Sequence, residues 1–212
     1  MKKRVLCFGD SNTFGYAPDG SRFADDMRWT GRLQERLGPG YTIIEEGYNG
    51  RTTIFDDPVE GGYKSALQYL PPCVMSHNPL DLVLLMLGTN DTKERFSMNA
   101  FTISQCVEQL ISQIERYARD GEMNHSKILL VSPIEIGENL MQVWTGPIFG
   151  PRAIEISKSF EHEYSRVAEK LGAHFLSASR HAKPCAEDAI HMNAEEHAKL
   201  AAAFYEKIKE IL

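Results

Sequence analysis

Short apolar runs alternate with amphipathic stretches along this chain. Five runs have the length and aliphatic content of buried strands: Arg4 to Phe8, Tyr41 to Glu45, Leu82 to Leu87, Lys127 to Val131, and His174 to Leu176. Between them, apolar residues recur at helical spacing. In Asp26 to Leu37, Trp29, Leu33 and Leu37 lie four apart, and Gly38 follows as a stop. Ile103, Val107, Leu110, Ile111, Ile114 and Tyr117 mark one face of a helix predicted to end near Gly121. Ile156, Phe160, Tyr164, Val167 and Leu171 mark another, stopped by Gly172. An Asn193-x-x-Glu196 capping box opens the last helix, whose stripe runs through Leu200, Phe204, Ile208 and Ile211.

Strand runs that are apolar on both faces, separated by amphipathic helices, predict an α/β fold with a parallel sheet covered on both sides. With right-handed crossovers, this becomes a three-layer α/β/α doubly wound domain on a five-stranded parallel sheet, expected to span residues 1–212 as one unit. Functional groups in such sheets gather beyond the carboxyl ends of the strands. Two stretches read as irregular, Asp56 to Pro79 and Gly137 to Arg152. The second holds Trp144, Pro147, Phe149 and Pro151, and a loop of that length tends to line a site or an interface.

Composition narrows the class. At 212 residues, with 42% hydrophobic and 25% charged, the chain is an ordinary globular one. A chain of this length buries roughly 70% of its unfolded surface. The net charge of -6 argues against sequence-independent nucleic-acid binding, so no nucleic-acid partner is expected. The longest apolar run, Leu82 to Leu87, is too short to span a bilayer, so no membrane partner is expected either. The basic start Met1-Lys2-Lys3-Arg4 is followed by Val5 to Phe8 and then Gly9-Asp10, which leaves no signal-peptide apolar region; a cytoplasmic location is expected. Cys7, Cys73, Cys106 and Cys185 are widely spaced. His77, His125, His162, His174 and His181 form no ligand pattern, so no metal and no disulfide framework are expected.

The candidate chemistry sits just past the strand runs. Ser11 follows the first, in Gly9-Asp10-Ser11-Asn12-Thr13. A strand-to-helix turn exposes the hydroxyl and points backbone N–H groups at it, although Ser is also a common helix cap. A Ser hydroxyl needs a general base to become a useful nucleophile. Asp188-Ala189-Ile190-His191 follows the fifth run, and a carboxylate three residues before a His can hold the imidazole by Nδ1 and free Nε2 for a hydroxyl. Asn90 follows the third run, and its amide can donate to a developing oxyanion; Gly50, after the second, can present an N–H with no Cβ in the way. Each segment also reads as a plain turn or solvated loop, but together they place a nucleophile, an oxyanion cradle, a base and its acid at one end of one sheet. Among the rest, Asp10 is expected to brace the Ser11 turn, Trp29 to pack in the core and His197 to be structural. Arg51 is read either as ordering the loop after Gly50 or as exposed.

At these residues the chain resembles a known family. Gly9-Asp10-Ser11, Gly50, Gly88-x-Asn90-Asp91 and Asp188-x-x-His191 are similar to the four blocks of the SGNH (GDSL-type) hydrolases, in order and at suitable spacing. The arylesterase and acyltransferase branch also has segments like Arg28-Trp29-Thr30-Gly31, Glu45-Glu46-Gly47, Arg51-Thr52-Thr53, Tyr69-Leu70-Pro71 and Leu87 to Lys93, so the resemblance covers nearly the whole chain.

The resemblance implies Ser11 as nucleophile, His191 as base and Asp188 as its partner. It further implies an oxyanion hole of Ser11 N–H, Gly50 N–H and the Asn90 amide, a flavodoxin-like sheet, no metal or other cofactor, and a homo-oligomer. Asn12 replaces the family's Leu, which implies a changed pocket; Asn12, Trp144 and Phe149 are the candidate pocket residues. The branch has Ala where this chain has Gly50, a change that leaves the backbone N–H in place.

The function expected is a serine carboxylic-ester hydrolase forming an acyl-enzyme on a small ester substrate, of the arylesterase or carbohydrate deacetylase type. An alternative keeps the triad and changes the acceptor, giving an acyltransferase. Another reads Ser11 to Gly15 as the phosphate loop of an FMN-binding flavodoxin-like module, which leaves Asp188-x-x-His191 and Gly88-x-Asn90 unexplained.

Overall fold

The computed structural model describes residues 2–120 and 125–212. Its strands are β1 (Lys3–Gly9), β2 (Tyr41–Gly47), β3 (Leu82–Met86), β4 (Lys127–Ser132) and β5 (His174–Ser177). Each of the five predicted runs forms one of them. The helices are α1 (Ser11–Phe14), α2 (Trp29–Leu37), α3 (Ala66–His77), α4 (Ala100–Tyr117), α5 (Gly146–Phe149), α6 (Arg152–Lys158), α7 (Phe160–Leu171) and α8 (Ala194–Ile211). All strand pairs are parallel, in the order β2-β1-β3-β4-β5.

Alternation along the strands divides the core between the two faces. Leu6, Phe8, Val83, Leu85 and Leu130 pack with α3, α4 and α7 through Leu70, Val107 and Tyr164. Val5, Cys7, Leu84, Met86 and Val131 pack on the other face with α2 and α8 through Trp29, Leu33, Leu200 and Phe204. The sheet is therefore doubly wound, with helices on both faces. Chain direction across the sheet reverses between β1 and β3, and the crevice beyond their carboxyl ends is where such a fold places its site.

The helices depart from expectation in three places. Part of the irregular stretch Asp56 to Pro79 is α3, which keeps Pro71 and Pro72 inside it while burying Ala66, Leu70, Cys73 and Val74. Proline removes hydrogen bonds from a helix, and burial of this apolar face outweighs that loss. The stripe from Ile156 to Leu171 is carried by α6 and α7, which meet at Ser159, whose hydroxyl donates to the Glu155 carbonyl at 3.2 Å. The helix predicted to end near Gly121 ends at Tyr117, and Gly121 lies outside the described residues. Half of the capping box at α8 forms: Asn193 Oδ1 accepts from Glu196 N–H at 3.0 Å, while the Glu196 carboxylate turns instead to Lys183 N–H and Lys199. Among the described residues no helix is long and apolar enough to cross a membrane.

Candidate active site

The chain leaves β1 at Gly9 and turns at once into α1. Asp10 caps that turn: its Oδ1 accepts from Asn12 N–H at 3.0 Å, and its carbonyl accepts from the N–H groups of Thr13 and Phe14 at 3.1 and 2.9 Å. Asp10 thus braces the turn, and these amides are spent on it, inside a loop that already carries a carboxylate. A flavin phosphate would need those amides and would meet that charge.

The loop between β5 and α8 brings the second component to Ser11. His191 Nε2 lies 2.9 Å from Ser11 Oγ, and its Nδ1 lies 2.6 Å from Asp188 Oδ2. Asp188 Oδ1 accepts from the N–H groups of Ile190 and His191 at 2.9 and 2.8 Å, so both carboxylate oxygens are anchored. Burial by itself would raise the Asp188 carboxyl. The His191 ring and the two backbone N–H groups outweigh it and hold the group below its ordinary value.

Asn12, expected in the pocket wall, sits behind the site instead, 3% exposed. Its Nδ2 donates to the Ile190 carbonyl at 3.2 Å and its Oδ1 accepts from Met192 N–H at 3.1 Å. It grips the chain on either side of His191 and sets the imidazole against the Ser11 turn. Its own carbonyl accepts from Trp29 Nε1 at 3.0 Å. Trp29 is buried against Phe204, so its role is core packing plus one strut. His197 also sits behind the site, where Nδ1 accepts from Trp29 N–H at 3.3 Å. Burial, with help from nearby positive charge, pushes its pKa down to about 3, so this imidazole is neutral and structural.

Hydrogen-bond donors line the same cavity as Ser11. Among the described residues, neither Ser11 N–H nor Gly50 N–H has a partner. Asn90 Nδ2 gives one hydrogen to the Arg51 carbonyl at 3.1 Å, which leaves its second free. Gly50 has φ +76°, a conformation that favours glycine, and a Cβ there would meet only the movable end of the Glu60 side chain at 2.5 Å. Arg51 is buried and orders the loop: its guanidinium lies over the Phe8 ring at 4.1 Å and donates to the Gly9 carbonyl at 2.9 Å. Asp91 ties the Gly50 and Asn90 segments together by accepting from Thr53 N–H at 3.0 Å and from the Thr53 hydroxyl.

These groups share a cavity of about 230 Å³ with Tyr16, Glu60, Lys93, Trp144, Ile148 and Phe149. Trp144 stands at its rim, 56% exposed, while Phe149 is buried in its wall at 5%. Tyr16, Glu60 and Lys93 are absent from the sequence-derived set. The Tyr16 ring lies against the His191 ring at 4.5 Å between centroids. The Lys93 ammonium is buried between Glu60 and Asp57, and Arg95 Nη2 reaches both carboxylates at 2.8 Å. These four side chains come from segments far apart in the chain, so no local pattern marks the pairing.

Asp10 provides a test by pH. Burial pushes its carboxyl up to about 6, against the lowering effect of the Asn12 N–H. A buried acid whose folded pKa exceeds the unfolded value of about 3.9 stabilises the fold most below that lower value. The contribution is lost as pH rises through about 6. Asp10→Asn keeps the Oδ1 acceptor and removes the ionisation. Urea unfolding at pH 4 and pH 7 should therefore show wild type losing roughly 1–3 kcal/mol more than the variant over that interval. Identical losses in the two proteins would contradict the burial argument.

A doubly wound parallel sheet with this constellation at its switch point has the architecture of the SGNH hydrolases. The chain belongs to the GDSL-like lipase/acylhydrolase family, whose sequence pattern matches residues 7–199. It is similar to the carbohydrate acetylesterase Est24 from Sinorhizobium meliloti, with 36% identity, all of both chains covered and a TM-score of 0.93. It is also similar to the native aryl esterase of M. smegmatis, with 35% identity, 99% of this chain and 100% of that one covered, and a TM-score of 0.91. An acetylxylan esterase from Xylanibacter ruminicola is 26% identical over 226 residues, covering 97% of this chain. This chain spans only 43% of that protein's length.

Proposed function

We propose that this protein is a serine carboxylic-ester hydrolase that cleaves esters of small acyl groups through an acyl-enzyme. The observation that carries the reading is the continuous hydrogen-bond chain from Asp188 Oδ2 through His191 to Ser11 Oγ, at 2.6 and 2.9 Å. Ser11 Oγ attacks the ester carbonyl carbon while His191 Nε2 takes its proton. Asp188, an acceptor at Nδ1, keeps Nε2 unprotonated beforehand and stabilises the imidazolium that forms. Charge that builds on the carbonyl oxygen is met by Ser11 N–H, Gly50 N–H and the second Asn90 amide hydrogen, donors already in place before reaction. His191 returns the proton to the leaving alkoxide. Water, deprotonated by His191, then attacks the acyl-Ser11 ester and restores the hydroxyl.

The wall formed by Ile148 and Phe149 in a cavity of about 230 Å³ favours a short acyl chain. Trp144 at the rim is suited to an aryl or sugar leaving group, since an indole face stacks on either. Nitrophenyl esters from acetate to octanoate, run beside acetylated xylo-oligosaccharides, test this reading. kcat/KM should be highest for acetate or propionate and fall with each added pair of methylenes. An organophosphonate should label Ser11 and no other residue. Absence of hydrolysis across the panel, or labelling elsewhere, would refute the assignment. Product analysis with a competing alcohol measures the share of transfer to an acceptor other than water.

The oxyanion role of Asn90 has its own signature. Asn90→Ala should lower kcat by about 10²–10³, roughly 3–4 kcal/mol, with KM nearly unchanged, because the donor is used when charge develops. An unchanged kcat would remove Asn90 from the cradle.

A further inference from the structure

Away from the catalytic cavity, three donors of different chemistry converge where the edge strand β2 meets α3. Cys73 and His77 stand four residues apart on α3 and so share one face of it. Glu46, near the end of β2, faces them. Its Oε1 accepts from His77 Nε2 at 2.8 Å, and its Oε2 accepts from the Tyr69 hydroxyl at 3.2 Å. One ligand atom from each of Glu46, Cys73 and His77 lies within 4.8 Å of the other two. Linear spacing hides this cluster, because Glu46 joins it only through the pairing of a strand with a helix.

The cluster is partly open to solvent. The Glu46 side chain is 18% exposed, and that of its Oε1 partner His77 is 29% exposed. The nearby Arg51 donates through Nη1 to the main-chain carbonyls of Gly9 and Glu46, and its charge also bears on the Glu46 carboxylate. Cys73 is 2% exposed.

We propose that Glu46, Cys73 and His77 form a binding site for a thiophilic divalent cation of the Zn²⁺ class, with a water molecule as fourth ligand. A soft sulfur, an imidazole nitrogen and one carboxylate oxygen suit Zn²⁺ and disfavour Ca²⁺ or Mg²⁺, which take oxygen-rich shells. Tetrahedral bonds of about 2.0–2.3 Å set donor atoms roughly 3–4 Å apart, so side-chain rotations within the observed spread complete the site. A cavity of about 470 Å³, lined by Glu46, Tyr48, Arg51 and Tyr69 among others, adjoins it and gives the water access. On binding, the metal–sulfur bond replaces the Cys73 S–H bond and that proton leaves to solvent. His77 exchanges its hydrogen bond to Glu46 for a bond to the metal, and its ring proton moves to the other nitrogen. One proton is released per ion. The ion clamps the edge strand to the helix that covers it, which ties the site to stability and not to ester chemistry.

Co²⁺ is the probe, added to the reduced, chelator-treated 212-residue chain. One equivalent should bind, give the near-ultraviolet thiolate-to-cobalt charge-transfer band and release one proton. Cys73→Ser should abolish the band, His77→Gln should weaken binding by about tenfold or more, and Cys106→Ser should change neither. Zn²⁺ at about a hundredfold over its Kd should raise Tm by roughly 5–10 °C in wild type and not in His77→Gln. Circular dichroism checks that Cys73→Ser is folded; should it not fold, half-buried His77 decides the matter. No charge-transfer band at stoichiometric Co²⁺ would overturn the proposal. So would a band that survives Cys73→Ser, or affinity that is unchanged in His77→Gln. None of these readouts uses esterase activity, so failure here leaves the assignment of Ser11 standing, and failure there leaves this site standing.

Discussion

Ser11→Ala should lower kcat for a short aryl ester by about 10⁴-fold or more, with Tm close to that of wild type. The hydroxyl lies against the proposed base: His191 Nε2 is 2.9 Å from it. Alanine removes that oxygen and nothing that holds the turn, because Asp10 supports α1 through Asn12, Thr13 and Phe14. The donors at Gly50 and Asn90 survive the change, so binding and residual polarisation of the carbonyl survive with them. KM should therefore move little, and the loss should appear in kcat. Mass spectrometry after organophosphonate treatment gives an independent reading, with wild type labelled and the variant unmodified. Turnover by Ser11→Ala within tenfold of wild type would show that another group is the nucleophile.

Asp188→Asn should cost nearly as much, about 10⁴ in kcat, without removing the nucleophile or the base. Asp188 Oδ2 accepts from His191 Nδ1 at 2.6 Å, which leaves the lone pair on Nε2 facing Ser11. The other oxygen holds the N–H groups of Ile190 and His191. In the asparagine variant the remaining carbonyl oxygen keeps those two backbone bonds, and the amide turns an N–H towards Nδ1. The ring then accepts at Nδ1 and carries its proton on Nε2, so it cannot take one from Ser11. The variant should fold, and its kcat should rise more steeply at alkaline pH than that of wild type, as hydroxide substitutes for the lost base. A kcat within tenfold of wild type at pH 7 would mean that Asp188 does not set the tautomer.

The candidate site was unevenly legible in the sequence. Ser11, Asn90, Asp188 and His191 could be singled out because each follows an apolar run, and the carboxyl ends of parallel strands share one edge of the sheet. Asn12 stands in the same segment and does a different job. Its side-chain amide turns to Ile190 and Met192, and no rule of spacing says which way a side chain beside a turn will point. Lys93 has the composition of a solvated charge, yet it is buried because Asp57 and Glu60 arrive from a distant segment to balance it. The prolines of α3 carry a local signal against a helix, and the packing of Leu70 and Val74 on the sheet overrode it.

What the sequence alone determined is the set of strands, most of the helices with their buried faces, and the segments that end at the carboxyl edge. Short apolar runs and a 3.6-residue period are local properties, written in adjacent positions and readable without coordinates. The tertiary structure alone decided the order β2-β1-β3-β4-β5, which side chains meet across the crevice, and the meeting of Glu46 with Cys73 and His77. Those depend on how the layers pack against one another, a sum of many contacts between distant segments that no window of the chain contains.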